Sequence, residues 1–379
     1  MLQRSLRSWK GPILVLLALL ALTAVLGGCA KKDSLVTGPS LSEIDPSGGV
    51  TVLRTSDPAV QAAMRVQDSH TPRLMLLPGV VGTAITADAA GKPAIMVMTE
   101  NAMPPGRLPA ELDGYKVIEE VTGRIVAYKS SGGVSHTAKQ TPPIQLGTSG
   151  GSVVDVANGY CCSGTLGALV QKNGVQYILS NSHVLAGDVV SGGNGKVSAI
   201  GDDIMQPGYV DNNCSVTGSN IVADLSTLST LYPPGSTPNV DCAMAQVRAG
   251  MVRTDGAILE IGTLSAQTLA PAVGLLVKKS GRTTGLSRSS ISGLNATVNV
   301  GYETECAGTS FTKTFTGQII IANRRSKFLN SGDSGSLMVE DVTTNPRAVG
   351  LLYAGSSTTA VANPIGDVLS NLGVTMVGQ

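Results

Sequence analysis

Three segments of this 379-residue chain carry residue types that could do chemistry together. Ser331-Gly332-Asp333-Ser334-Gly335-Ser336 sets a serine between glycines, the setting of a nucleophile held on a tight turn. Small neighbours let a substrate approach, and the amides of Gly332 and Ser334 can point together at a developing oxyanion. Taken alone, in a chain with 46 glycines, the same string reads equally well as a loop. Tyr177-Ile178-Leu179-Ser180-Asn181-Ser182-His183-Val184-Leu185-Ala186 places a histidine directly after a β-run. A serine hydroxyl needs a base that titrates near neutrality, and imidazole is the usual one. His183 is the one histidine after residue 150, and its bland reading is a buried structural side chain. Asn239-Val240-Asp241-Cys242-Ala243-Met244-Ala245 puts an acid at the start of an apolar run, where it either caps a turn or orients an imidazole through Nδ1–H. The chemistry these three segments would perform together is nucleophilic acyl transfer, with His183, Asp241 and Ser334 in that order, 58 and 93 residues apart.

The elements that must hold them are short strands with turn signals between. A hairpin reads from Leu166–Val170 through Lys172-Asn173-Gly174 to Val175–Leu179 and leads into His183. A second runs from Ser336–Val339 through Thr343-Thr344-Asn345-Pro346 to Ala348–Tyr353 and follows Ser334 directly. The chain closes with a helix: Asn363 as cap, Pro364 first, apolar Ile365, Val368, Leu369 and Leu372, and Gly373 past the end. These elements make residues 151–379 one large all-β domain. Upstream, residues 51–130 read as a small α/β domain: a helix from Asp57-Pro58 to about His70, apolar runs Val80–Thr86 and Ala94–Met98, and a run Tyr115–Tyr128 broken at Gly123. Here His70 is a cap or surface residue. Residues 131–150, rich in Gly, Ser, Thr and Pro, read as a linker with a solvated His136.

Composition narrows the function. Charged residues are 14%, against about 25% in an average domain, and the net charge is +1, which disfavours a nucleic-acid partner. Aromatic content of 3% gives no platform for stacking bases or sugars. Histidine is scarce and the cysteines are widely spaced, so no metal site is expected, and acyl transfer needs no cofactor.

The first residues are an address. Arg4, Arg7 and Lys10 precede an apolar run from Ile13 to Leu26, too short to span a bilayer but suited to a secretory signal. Leu26-Gly27-Gly28-Cys29 resembles the lipobox of bacterial lipoproteins, which implies cleavage after residue 28, acylation of Cys29 and a tether over 29–50. Loss of the leader takes the net charge to −2, and Ala30 behind the lipid site favours an outer membrane or cell surface. Export permits disulfides among Cys161, Cys162, Cys214, Cys242 and Cys306, with an odd thiol left over and no pairing legible.

The order and spacing of His183, Asp241 and Ser334 resemble the chymotrypsin/trypsin-like serine proteases over most of residues 160–379. Ser-Asn-Ser-His resembles the family's Thr-Ala-Ala-His, and Asp241-Cys242-Ala243-Met244 its Asp-Ile-Ala-Leu. Lys279-Ser280-Gly281-Arg282-Thr283-Thr284-Gly285-Leu286 resembles the turn opening the second barrel of bacterial members, and Ala362-Asn363-Pro364-Ile365 points to a little-characterised bacterial branch. The resemblance implies a double β-barrel with a C-terminal helix, a catalytic triad of His183, Asp241 and Ser334, and an oxyanion hole at Gly332 and Ser334. It also implies a substrate strand over Gly350–Gly355, and an Asp333 that organises the oxyanion loop. Arg282 is read as a turn-stabilising donor.

The departures are specific. Phe328 stands where a trypsin carries Asp, and Tyr353-Ala354-Gly355 where it carries Ser-Trp-Gly, which implies a pocket for apolar or small side chains. Cys162 aligns with one half of a family disulfide, but Val184 follows His183, so that bridge is absent. An N-terminus acylated at Cys29 could not pair with Asp333, as a freshly cut terminus does in many members. The function expected is a membrane-anchored extracytoplasmic serine endopeptidase acting on polypeptides, with residues 51–130 as a pro- or regulatory domain that could occlude the site as an inhibitor. The competing expectation is a catalytically silent binding lipoprotein on the same scaffold. Only 45 residues follow Ser334, too few for a further peptide-binding module.

Overall fold

The computed structural model describes residues 52–127, 135–157, 160–187, 198–232, 239–303 and 310–379. The expected leader, Cys29, the tether, Cys306, residues 128–130 and residues 131–134 of the expected linker lie outside the described residues. Within them the chain is mostly strand, in curled sheets, with few helices, as the composition implies.

Helix α1 (Pro58–Leu74) starts as Asp57-Pro58 dictates: Asp57 stays extended and Pro58 is the first helical residue. Its buried face is Val60, Ala63, Gln67, Thr71 and Leu74, spaced three and four apart. Burial of Thr71 and Leu74 carries it past the His70 end expected from spacing and through Pro72. Strands β1 (Val80–Ala87) and β2 (Pro93–Thr99) pair antiparallel, their turn closed by Asp88, which accepts the Ala90 and Lys92 amides at 2.9 Å. After β3 (Glu111–Leu112), β4 (Tyr115–Val121) runs parallel to β2. The run breaks at Gly123 and resumes as β5 (Val126–Ala127).

The first large sheet contains β6 (Thr148–Ser152), β7 (Gly164–Leu166), β8 (Ala168–Lys172), β9 (Val175–Ser180), β10 (Asp203–Gln206), β11 (Asn220–Leu228) and β12 (Ala243–Val247). Their order is β7–β6–β10–β11–β12–β9–β8, with Thr375–Met376 beyond β8. Only Gly167 separates β7 from β8, so the path round the sheet returns to the same stretch of chain. Asn173 and Gly174, both at positive φ, make the tight turn of the β8–β9 hairpin.

The second sheet contains β13 (Leu276–Gly281), β14 (Gly285–Tyr302), β15 (Phe311–Ala322), β16 (Leu337–Glu340), β17 (Ala348–Gly355) and β18 (Thr359–Pro364). β13 pairs with both β14 and β16, so the six strands form a closed ring in the order β13–β16–β17–β18–β15–β14. The long β14 extends beyond the ring and pairs with β1 at Ile85↔Leu294 and Gly82↔Val298. The segment read as a separate small unit is thereby hydrogen-bonded into this sheet. Buried Gln67 of α1 adds to the join by donating to Thr83 Oγ1 and to the Asn295 carbonyl, both at 3.0 Å.

Two local expectations are corrected. Residues 135–150 are packed against the body of the molecule: Ile144 and Leu146 are fully buried, and so is His136 at 2% exposure. His136 Nε2 meets Ser280 Oγ at 3.0 Å and Glu260 Oε2 at 2.9 Å; burial pushes its pKa below the ordinary value, with Glu260 pulling the other way. The closing helix α3 (Ile365–Leu372) takes Pro364 as its cap, and Gly373 ends it at φ +65°. Asn363, expected as the cap, instead lies in β18 with its side chain turned to Asp241, because a buried amide there must find buried partners.

Candidate active site

The register of β9 against β12 brings the histidine and the aspartate together. Ser180 lies opposite Ala243, so the residues that leave β9 run beside those that enter β12. Ser182 Oγ bonds the Cys242 carbonyl at 2.7 Å, and Asn181 Nδ2 bonds the Asp241 carbonyl at 2.7 Å. His183 sits on the single turn α2 (Ser182–Leu185). Its Nδ1 lies 2.5 Å from Asp241 Oδ2, and its backbone amide reaches Asp241 Oδ1 at 3.3 Å. From the second sheet, Asn363 Oδ1 accepts the Asp241 amide at 3.1 Å and Tyr302 donates its phenol to Asp241 Oδ2 at 3.0 Å. A carboxylate with no solvent exposure needs hydrogen-bond partners, and His183 and Tyr302 supply them.

Ser334 stands between two turns, closed by Asp333 N to the Asn330 carbonyl and by Ser336 N to the Asp333 carbonyl, each at 2.9 Å. The amides of Gly332 and Ser334 take no part in either closure. Gly332 has φ +93°, and a Cβ there would meet Thr283 Oγ1 at 2.5 Å and Arg282 at 2.7 Å. Gly335 has φ +92° and lies against Ser180 Oγ and the Thr165 carbonyl with no room for a side chain. That close approach fixes the serine turn against the end of β9, three residues before His183. Ser334 Oγ donates to the Tyr353 carbonyl at 3.2 Å, while buried His183 Nε2 has no hydrogen-bond partner among the described residues.

Asp333 is the anchor of this turn. Its Oδ1 accepts the amides of Thr283 and Thr284 at 2.9 and 3.1 Å and lies 3.1 Å from Lys279 Nζ, with both side chains fully buried. Burial pushes the Lys279 ammonium below its ordinary pKa, and Asp333 pulls it back up. Buried Arg282 clasps Asp211, on the single turn Tyr209–Asp211 between β10 and β11, at 2.5 and 2.6 Å, a far heavier tie than a turn donor. Sequence reading attached no function to Lys279, Tyr302 or Asn363. A buried lysine three residues before Arg282 was the one available signal; the other two act across chain separations of 61 and 122 residues.

The site is closed to solvent: His183 is 1% exposed, and Asp241 and Ser334 are fully buried. Part of the covering is β5. Val126 and Ala127 pair antiparallel with Gly355 and Ala354, and Val126 also pairs with Gly301. Ile125 is buried in the same apolar cluster as Tyr302, Tyr353 and Leu231. Of the three expected pocket residues, Phe328 and Tyr353 are buried and Gly355 ends β17. Phe328 lies in a different core cluster from Tyr353, and it is Leu329 whose Cδ2 stands 3.0 Å from where a Cβ on Gly355 would be.

Cys161 and Cys214 form a disulfide, and among the described residues Cys242 is the free thiol, its pKa pushed up to about 12 by burial. No group of three or more His, Cys, Asp or Glu side chains among the described residues is placed to hold a metal ion.

A family model described as the Nal1 C-terminal domain matches residues 238–363, a span that includes Asp241 and Ser334. No curated protein matches the sequence. Among solved structures, the chain is similar to a glutamic acid-specific serine protease that uses a histidine triad in substrate binding, at 18% identity and a TM-score of 0.38, covering 62% of this chain and 100% of that one. It is also similar to protease A of Thermobifida fusca, at 19% identity over 62% of this chain and 99% of that chain, with a TM-score of 0.38. A chymotrypsin of Cellulomonas bogoriensis gives the same 19% identity, 62% and 99% coverage and TM-score of 0.38.

Proposed function

We propose that this chain is a serine endopeptidase of the chymotrypsin type, its two curled sheets serving as the two barrels and His183, Asp241 and Ser334 as its triad. The observation that carries the reading is the buried His183–Asp241 pair, 2.5 Å apart, with Nε2 left without a hydrogen-bond partner among the described residues. For attack, the Ser334 hydroxyl turns from the Tyr353 carbonyl to His183 Nε2, which takes its proton as Oγ adds to a peptide carbonyl. Such bonds are often unmade until substrate binds. Asp241 holds the imidazole tautomer and stabilises the imidazolium, and the amides of Gly332 and Ser334 receive the oxyanion. His183 then protonates the leaving amine, and water releases the acyl group by the reverse path. With Leu329 packed against Gly355, the pocket suits a small or apolar residue.

In this reading β5 occupies the edge of β17 along which a substrate main chain would pair, and the N-terminal segment acts as the enzyme's own inhibitor. We propose further that the leader is cleaved and that Cys29 carries a lipid anchor outside the cytoplasm. The test is fluorophosphonate labelling of the full chain with peptide mapping. Labelling at Ser334 that is lost in Ser334→Ala and His183→Ala is expected. A folded protein that stays unlabelled even after partial proteolytic nicking of residues 128–134 would overturn the reading in favour of a silent binding scaffold.

A further inference from the structure

The aspartate of the site has a partner that neither the motifs nor its neighbours in sequence supply. Tyr302 ends the 18-residue strand β14 and reaches Asp241 from the opposite sheet. Its phenol lies 3.0 Å from Oδ2, the same oxygen that faces His183 Nδ1, and among the described residues no other side-chain hydroxyl bonds that carboxylate. The ring is fixed on two sides. It stacks on Phe311 with centroids 4.8 Å and planes 10° apart, and it meets the His183 ring edge-on at 5.8 Å and 71°. A side chain that is 2% exposed and clamped this way holds its hydroxyl in one place.

Resting on the triad reading, we infer that Tyr302 is a positioning residue of the reaction: its hydroxyl fixes the Asp241 carboxylate against His183 Nδ1 and moderates how strongly that carboxylate holds the imidazolium.

The sign follows from charge. A donor on Oδ2 draws negative charge off the carboxylate and weakens its pull on the protonated ring. Without the donor, the carboxylate binds the imidazolium more tightly, so less His183 is free base at a given pH. The other groups facing the pair are Tyr353 on β17, Lys313 on β15 and Cys242 beside Asp241. Burial holds both tyrosines well above their ordinary pKa, so Tyr302 stays a donor across the working range. The Lys313 cation, raised by Asp241 but lowered more by burial, is common to wild type and variant and cancels in their comparison.

The experiment compares the full chain with Tyr302→Phe, and with 3-fluorotyrosine at position 302, a stronger donor of nearly the same shape. The readouts are the rate of fluorophosphonate labelling at Ser334 from pH 5 to 9, the NMR titration of His183, and the melting temperature. In Tyr302→Phe the acidic limb and the His183 titration should both move up by about half a pH unit, which is about a threefold slower rate below the limb. The fluorinated protein should move the other way. Limbs that coincide with wild type in either protein, with the rate merely scaled or unchanged, would leave Tyr302 a packing residue and overturn the inference. Absence of labelling in the wild type would instead strike the triad reading, and the His183 titration in the three proteins would still decide the role of Tyr302. Should Tyr302→Phe not fold, the fluorinated chain alone gives the sign.

Discussion

At the scale of the residue, Asp333 and Lys279 show how a charge can be buried without being wasted. A carboxylate beside Ser334 must be neutralised if the serine turn is to keep its shape, and here a fully buried lysine from β13 does so from within the chain. The two turn amides of Thr283 and Thr284 complete the cage. An N-terminus formed by proteolysis is therefore not required to order this loop. Lys279→Met keeps the volume and removes the cation, leaving Asp333 buried and unpaired. The expected cost is about 3–5 kcal/mol of stability, with loss of Ser334 labelling at temperatures where the variant remains folded. Thermal melting and labelling of the same sample check it; a variant that melts with wild type and labels normally would show that the amides suffice.

At the scale of the element, β5 is two residues long yet paired on both flanks, with Gly301 on one side and Ala354–Gly355 on the other. Its main chain lies where an extended peptide would add to the sheet edge. Proline at Val126 removes an amide from a strand with neighbours on both sides, a position that sheets do not tolerate. Val126→Pro is expected to release the strap and raise the rate of Ser334 labelling several-fold, while the sheets keep their circular dichroism. An unchanged labelling rate in a folded variant would mean that β5 does not guard the site. The hairpins around the site were readable because their turn residues are: Asn173-Gly174 takes the positive φ pair the motif needs. The closing helix was readable too, apart from its cap. The string Asn363-Pro364 fits a cap on local grounds, and only the presence of Asp241 across the fold makes Asn363 a partner in the site instead.

At the scale of the whole molecule, residues 52–127 are a continuation of the second sheet. β14 pairs with β15 from Ile291 to Tyr302, while its other edge pairs with β13 over Gly285–Ser290 and with β1 over Leu294–Val298. Leu294, Ala296 and Val298 are buried where β1 covers the strand. A chain beginning at residue 151 would expose that edge and also cut the stretch holding buried Ile144, Leu146 and His136. It is expected to be insoluble or to lack a cooperative melt, checked by calorimetry and dye binding; a sharp melt and a monomeric truncation would show that the N-terminal part folds onto an independent core. Arg282, in the turn between β13 and β14 and with no exposure, lies against Gly332 and clasps Asp211, which also accepts from Ser149 of β6, so the two sheets share one tie beside the serine loop.

His183, Asp241 and Ser334 were picked out in the chain itself, because a proposed acyl transfer limits which side chains can serve as nucleophile, base and orienter; the structure sets His183 against Asp241, and the glycines beside Ser334 restrict its turn. Composition likewise fixed the mostly-β character, since strands and turns are local choices. Tertiary structure alone decided which distant groups meet: Tyr302 and Asn363 on Asp241, Lys279 on Asp333, β1 on β14, and β5 over β17. It also decided that His136 is buried, though its surroundings in sequence are those of a solvated loop. Local propensity acts over a few residues, whereas a hydrogen bond across 61 or 122 positions exists only once two sheets have packed.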